Sequence, residues 1–106
     1  MTLSDYQTAA MQTAIYPKPH SLPLYPARGL CGEAGEVAEK IKKMLRDGCG
    51  PDANRDIASE LGDVLWYVSA LASDLGWSLS SIAEMNLEKL ASRKQRDVIR
   101  GDGDNR

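Results

Sequence analysis

The sequence predicts an all-α fold, a four-helix bundle, from three observations. Two long segments carry strong apolar periodicity near 3.6 residues, and two others carry it moderately. Strand-type alternation is scarce. Proline and glycine clusters cut the chain into helical lengths with short connections. At 106 residues a single domain with one modest core is expected. Its parts are a first helix and proline-rich loop over 1–26, three helices over 27–95 and a polar tail over 96–106.

The first helix is expected from about Ser4 to Tyr16, where Leu3, Tyr6, Ala10, Met11 and Ala14 recur at helical spacing. The run "YPKPHSLPLYP" ends it, because proline lacks an amide donor and drives the preceding residue towards extended geometry. The second helix is expected from about Ala27 to Arg46, closed by "DGCGPDAN". The third starts near Asn54 or Asp56 and reaches about Leu75, with Gly76 as its C-terminal cap. Ser78, with Ser80 and Ser81 as competitors, caps a fourth helix that runs to about Gln95.

Composition excludes several classes of function. Apolar residues make up 42% of the chain, which fits a globular protein. Phenylalanine is absent and aromatics are 6%, so the core must be aliphatic and alanine-rich. A net charge of −2 argues against a nucleic-acid polymer as partner. No apolar run approaches the ~20 residues of a membrane span. The opening "MTLSDYQTAA" lacks the plan of a signal peptide, so a cytoplasmic location is expected. Cys31 and Cys49 form no Cys-x-x-Cys motif and are read as ordinary reduced residues.

Charge sits beside the stripes in a repeated pattern. On a wheel of ~100° per residue, Leu30, Ala34, Val37, Ile41 and Leu45 form the buried arc of the second helix. Glu33 and Glu36 line one rim of that arc, and Glu39 faces water. "SELGDVLWYV" in the third helix lies over "GEAGEVAEKI" in the second without gaps, placing Glu60 over Glu33 and Asp63 over Glu36. If the two helices pack antiparallel through their stripes, the two acidic rims face one cleft. Four converging carboxylates repel, and a hard divalent cation such as Mg²⁺ resolves the repulsion. Gly35 and Gly62 are expected to let another helix approach. On the fourth helix Asn86, Lys89 and Arg93 fall within the apolar arc of Leu79, Ile82, Ala83, Leu87 and Leu90, where acidic rims or phosphate could satisfy them. The bland readings are a solvated acidic face, an ordinary Glu36–Lys40 pair and snorkelling cations.

"GLCGEAGEVAEKIKK", "SELGDVLWYVSALASDLGWSL" and "NLEKLASR" together resemble the MazG-like, all-α nucleoside triphosphate pyrophosphohydrolases. The resemblance covers roughly residues 28 to 94, and the ending "GDGDNR" is similar to that of short bacterial and phage members. It implies cleavage of an NTP or dNTP between its α and β phosphates, giving a monophosphate and pyrophosphate, in nucleotide-pool house-cleaning. It implies Mg²⁺, with Mn²⁺ as a substitute, held by Glu33, Glu36, Glu60 and Asp63, with Glu33 or Glu36 as the base. It assigns Asn86, Lys89 and Arg93 to the phosphates, and it implies a homodimer or homotetramer. An apolar sector at Leu65, Trp66 and Leu87 agrees with an oligomer. Lys40 could add charge near the phosphates or pair with Glu36. Tyr16, His20, Tyr25, Trp66 and Tyr67 are candidates to stack on a base. Tyr67 shares the acidic rim's sector, Trp66 is read as an oligomer contact, and His20 is either an exposed loop residue or part of a lid. The tail is read as frayed, or as closing over a site with Arg100 or Arg106. The alternatives are a phosphoribosyl-ATP-like pyrophosphohydrolase and a non-catalytic acidic interaction module.

Overall fold

The computed structural model describes residues 1–106, the side chain of His20 excepted. The elements are α1 (Leu3–Met11), a 3₁₀ turn at Pro19–Ser21, α2 (Leu24–Asp47), α3 (Ala53–Asp74) and α4 (Leu79–Gln95). No strand forms among the described residues, and the all-α expectation holds.

α1 begins at a reciprocal cap. The Thr2 hydroxyl accepts from the Asp5 amide, and the Asp5 carboxylate accepts from the Thr2 amide. It ends at Met11, short of the expected Tyr16, because the Thr13 hydroxyl donates to the Ala10 carbonyl at 2.7 Å and takes over the end of the last turn. α2 starts at Leu24, earlier than expected. Pro26 lies in its first turn, where no amide donor is needed and the fixed φ is already helical. α3 closes as the sequence suggested: Gly76 takes φ 78°, and the Trp77 amide donates to the Ala72 carbonyl at 2.9 Å. The Ser78 hydroxyl accepts from the Ser81 amide and starts α4.

α2 and α3 form a long hairpin, and α1 lies against both α3 and α4. Gln7 of α1 stitches the α3–α4 turn. Its amide donates to the Ser73 hydroxyl and the Trp77 carbonyl, and its carbonyl accepts from the Leu79 amide at 2.8 Å. Among the described residues, buried Ala10, Ala70, Ala72 and Leu79 make a small core around this junction, and Pro26 is buried at the start of α2. The apolar stripes are only partly covered. Leu61, Leu65, Leu87 and Leu90 are exposed, and Leu45 is 85% exposed. The reason is geometric: α4 leans on α1 and does not run along α2. Gly35 and Gly62 have nothing near the position a β-carbon would take, so the helix approach expected there is not made within the chain.

Candidate active site on the α2–α3 hairpin

The hairpin register follows from its cross-helix partners. Gly29 meets Tyr67, Glu33 meets Glu60 and Asp63, and Lys40 meets Glu60. Rising numbers on α2 against falling numbers on α3 give the antiparallel pairing that brings the two acidic rims together. Glu33, Glu60 and Asp63 each present one carboxylate oxygen, and these three lie within 4.8 Å of one another. Glu36 is exposed and stays outside that set, one turn along α2. Glu39 pairs with Lys42 at 2.9 Å on the outer face.

The cluster is electrostatically tense. Partial burial, then the charges of Asp63, Glu60 and Glu36, hold the Glu33 carboxyl above its ordinary range. One cation answers these charges from within the hairpin. Lys40 Nζ lies 3.0 Å from Glu60 Oε1, a bridge across the helices in place of the i, i+4 pair with Glu36 that was one of its two readings. A lysine one turn beyond Glu36 on α2 reaches the facing helix more directly than its own neighbour. The Glu60 hydrogen bond, aided by the charges of Asp56 and Glu36, raises the Lys40 pKa.

Beside the carboxylates lies an aromatic set. Trp66 and Tyr67 meet edge to face at 5.0 Å between centroids, and Tyr16 stacks on Tyr25 at 5.2 Å with only 4° between the planes. Tyr16 also meets Trp66 edge-on. A groove of about 360 Å³ is lined by Glu33, Asp63, Trp66 and Tyr67. A second, of about 240 Å³, shares Trp66 and Tyr67 and adds Thr13, Tyr16 and Tyr25. Trp66, expected as an oligomer contact, also belongs to this intrachain cluster, its indole N–H donating to the Thr13 hydroxyl at 2.9 Å. The wheel could not show this, because the linker after α1 folds back over that side of α3. Tyr67 packs against Gly29, where a β-carbon would collide with its ring. Burial is the main cause that raises the Tyr67 pKa, with nearby Tyr25 and Glu33 adding to it. His20 falls outside the described side chains.

The polar residues of α4 are occupied elsewhere. Lys89 Nζ lies 2.9 Å from Asp104 Oδ1, and the buried Arg93 guanidinium donates to both the carbonyl and the carboxylate of Asp104. Asn86 is exposed. The tail expected to fray is folded instead. The Arg106 guanidinium donates to the carbonyls of Val98, Ile99 and Gly103, and Arg96 donates to the Arg106 carbonyl.

Residues 24–97 match the MazG nucleotide pyrophosphohydrolase domain. The chain belongs to the MazG family. It is also 50% identical, over 114 aligned residues that cover the whole of both chains, to the "Gene 37 protein" of Mycobacterium phage L5. No solved structure matches it.

The MazG match starts at the first residue of α2 and ends just after α4, so it contains the whole carboxylate cluster, Lys89 and Arg93. Tyr16 and Asp104 lie outside it. Sequence reading had named Tyr16 as a stacking candidate but overlooked Gly29, Asp74 and Asp104. Gly29 could have been found: it falls one turn before Glu33, where a helix interior has no need of glycine. Nothing local in the sequence marks the other two. No helix is long and apolar enough to cross a membrane among the described residues.

Proposed function

We propose that the chain hydrolyses a nucleoside triphosphate, ribo- or deoxyribo-, between its α and β phosphates, releasing the monophosphate and pyrophosphate. The observation that carries this is the juxtaposition of three carboxylate oxygens within 4.8 Å and an aromatic groove that shares their walls. An all-oxygen donor set with net negative charge fits Mg²⁺ or Mn²⁺, so Glu33, Glu60 and Asp63 are its holders in this reading. An ion held there would neutralise phosphate charge and help orient water. Glu36, one turn away and outside the oxygen set, keeps its lone pairs free. We assign it to take the proton of the water that attacks the α phosphorus. The Pα–O–Pβ bond then breaks, and pyrophosphate leaves with the bridging oxygen. Trp66, Tyr67, Tyr16 and Tyr25 offer π-faces to the base, a sequence-tolerant mode of holding it.

We infer further that the chain works as a homodimer or homotetramer. The chain exposes 7810 Å², whereas a compact monomer of 11.6 kDa exposes about 5,800 Å². Its radius of gyration is 16.7 Å, against about 13 Å for a compact chain of this length. Exposed Leu45, Leu61, Leu65 and Leu87 supply the apolar surface that a second copy would cover. In such an assembly we assign Asn86, Lys89 and Arg93 to the phosphates, Lys89 and Arg93 exchanging their contact with Asp104.

The test is a panel of nucleoside di- and triphosphates assayed separately for pyrophosphate and phosphate with Mg²⁺, alongside light scattering of the eluting protein. Pyrophosphate release from a triphosphate by a dimer or tetramer is the expected result. Release of phosphate alone, or of nothing from any nucleotide, refutes the reading. Glu36→Gln should then lower kcat while leaving the Mg²⁺-induced rise in Tm intact.

A further inference from the structure

The linker between α1 and α2 carries Tyr16, yet little holds it in place. Among the described residues, three bonds tie it to α3. The Trp66 indole donates to Thr13, the Tyr16 hydroxyl donates to Asp74 Oδ2 at 3.0 Å, and Lys18 Nζ lies 3.1 Å from Asp74 Oδ1. Two of the three converge on one carboxylate. The Asp74 side chain is only 7% exposed, although it sits in the last turn of α3, where the helix dipole disfavours negative charge. A carboxylate in that position is retained by its partners. Lys18 is 60% exposed and contributes little by itself. The neutral Tyr16 phenol is the less exposed partner, half-buried against the aromatic set.

From Tyr16 the contacts run onward to the groove. Its ring stacks on Tyr25 and meets Trp66 edge-on, and Trp66 meets Tyr67, which lines the groove beside Glu33 and Asp63. We infer that Asp74 is a positioning residue for nucleobase recognition: through the Tyr16 hydroxyl and Lys18 it fixes the proline-rich linker, and so sets the aromatic shelf beside the carboxylates. Asp74 touches neither nucleotide nor metal. The inference rests on the shelf reading given above. The Tyr16 phenol, raised to about 12 first by burial and then by Asp74, keeps its donor proton throughout the neutral range.

The experiment compares wild type with Asp74→Ala, Asp74→Asn, Tyr16→Phe and the Asp74→Ala/Tyr16→Phe double variant. Two readouts are used: KM and kcat for dATP and dTTP, and quenching of tryptophan fluorescence by AMP and TMP, which needs no turnover. Loss of the clamp loosens stacking interactions worth about 1–3 kcal/mol per base, so KM and the quenching midpoint should rise about five- to tenfold with kcat within twofold. Asp74→Asn retains an acceptor for the phenol and should stay within about twofold of wild type. Tyr16→Phe keeps the ring, and the double variant should be no worse than Asp74→Ala, which already removes the bond that Tyr16→Phe deletes. Unchanged KM and midpoint in Asp74→Ala, a fall in kcat alone, or additive effects overturn the inference and leave the pyrophosphohydrolase reading standing. A wild type that is quenched but releases no pyrophosphate overturns the enzymatic reading, and the clamp is then decided by the quenching midpoints. Absence of quenching in wild type overturns shelf and clamp together.

Discussion

The molecule holds two charged clusters, and they are balanced in opposite ways. On the α2–α3 hairpin, Glu33, Glu60 and Asp63 crowd together with Lys40 as their one close cation, so negative charge is left over. On α4, Lys89 and Arg93 share the single carboxylate of Asp104 of the same chain, so both cations are engaged although one positive charge is left over. A cluster whose charges crowd without enough partners asks for something from outside. One whose cations are engaged by a carboxylate must exchange that contact before phosphate can take its place.

The largest consequence concerns the hairpin cluster. Asp63→Asn removes one carboxylate without removing a side chain that anything else leans on, since Asp63 is exposed. Electrostatic stabilisation lost from a reacting centre typically costs about 10²–10³-fold in rate. Pyrophosphate release should therefore fall by at least about a hundredfold, with the circular dichroism spectrum unchanged. An active Asp63→Asn would mean that the surplus charge has no part in the chemistry, and the contrast between the two clusters would lose its functional sense.

Next in size is the response to the ion itself. At a hundredfold excess over its dissociation constant, a ligand that binds only the folded state stabilises it by about 2.7 kcal/mol, on the order of 10 °C in Tm for a chain of this length. Mg²⁺ or Mn²⁺ should raise Tm to that extent, and chelator should reverse it. In chelator, Glu33→Gln should melt above wild type, because it removes repulsion by Asp63, Glu60 and Glu36. With Mg²⁺ the order should invert. Equal melting of the two proteins under both conditions would show that the crowding carries no energy.

How much of this could be read beforehand differs between the clusters for a physical reason. The acidic rims were legible because a helix repeats every ~3.6 residues, so Glu-x-x-Glu and Glu-x-x-Asp beside two stripes define a face before any packing is known. The wheel separated Glu39 from Glu33 correctly. It could not show that Glu36 lies outside the oxygen set or that Lys40 bridges to Glu60, because cross-helix register depends on the five-residue connection at 48–52. Asp104 was invisible. Its partners lie 11 and 15 residues away on a different element, and no period connects a tail to a helix. The Asp74 carboxylate, bonded to Tyr16 58 residues earlier in the chain, was hidden for the same reason.

A smaller effect tests the α4 cluster. If Lys89 and Arg93 meet phosphate, Asp104 competes with it for both. Asp104→Ala should then lower KM for a triphosphate about two- to threefold at low salt, the modest effect expected of a solvent-exposed carboxylate. Added salt should shrink the difference. The carbonyl of Asp104 still receives Arg93, so the tail should remain folded. A rise in KM would reverse the assignment: Asp104 would hold the cations in place for the substrate, and the cluster would be a preassembled site.

The two clusters also answer pH with opposite sign. Hydrogen bonds from Lys89, then Arg93, hold the Asp104 carboxyl below its ordinary value of 3.8. The unfolded tail therefore takes up a proton first, and the stability this contact supplies is present above about pH 3.8 and lost as pH falls through the lower folded value. Glu33 is displaced upward from 4.5, so in metal-free protein the folded state takes up its proton first. Stability from that group is greatest below about pH 4.5 and declines as pH rises through the folded value. Acidification from neutrality should thus relax the hairpin cluster before it unpins the tail. Carboxyl and backbone resonances followed by NMR in chelator separate the two events. Glu33 should titrate above the range of an exposed glutamate, and Gly101 and Gly103 should shift only near the bottom of the acid range. A single transition shared by both would mean that the tail and the hairpin are coupled, with Lys89 and Arg93 already sensing the carboxylates in the assembled protein.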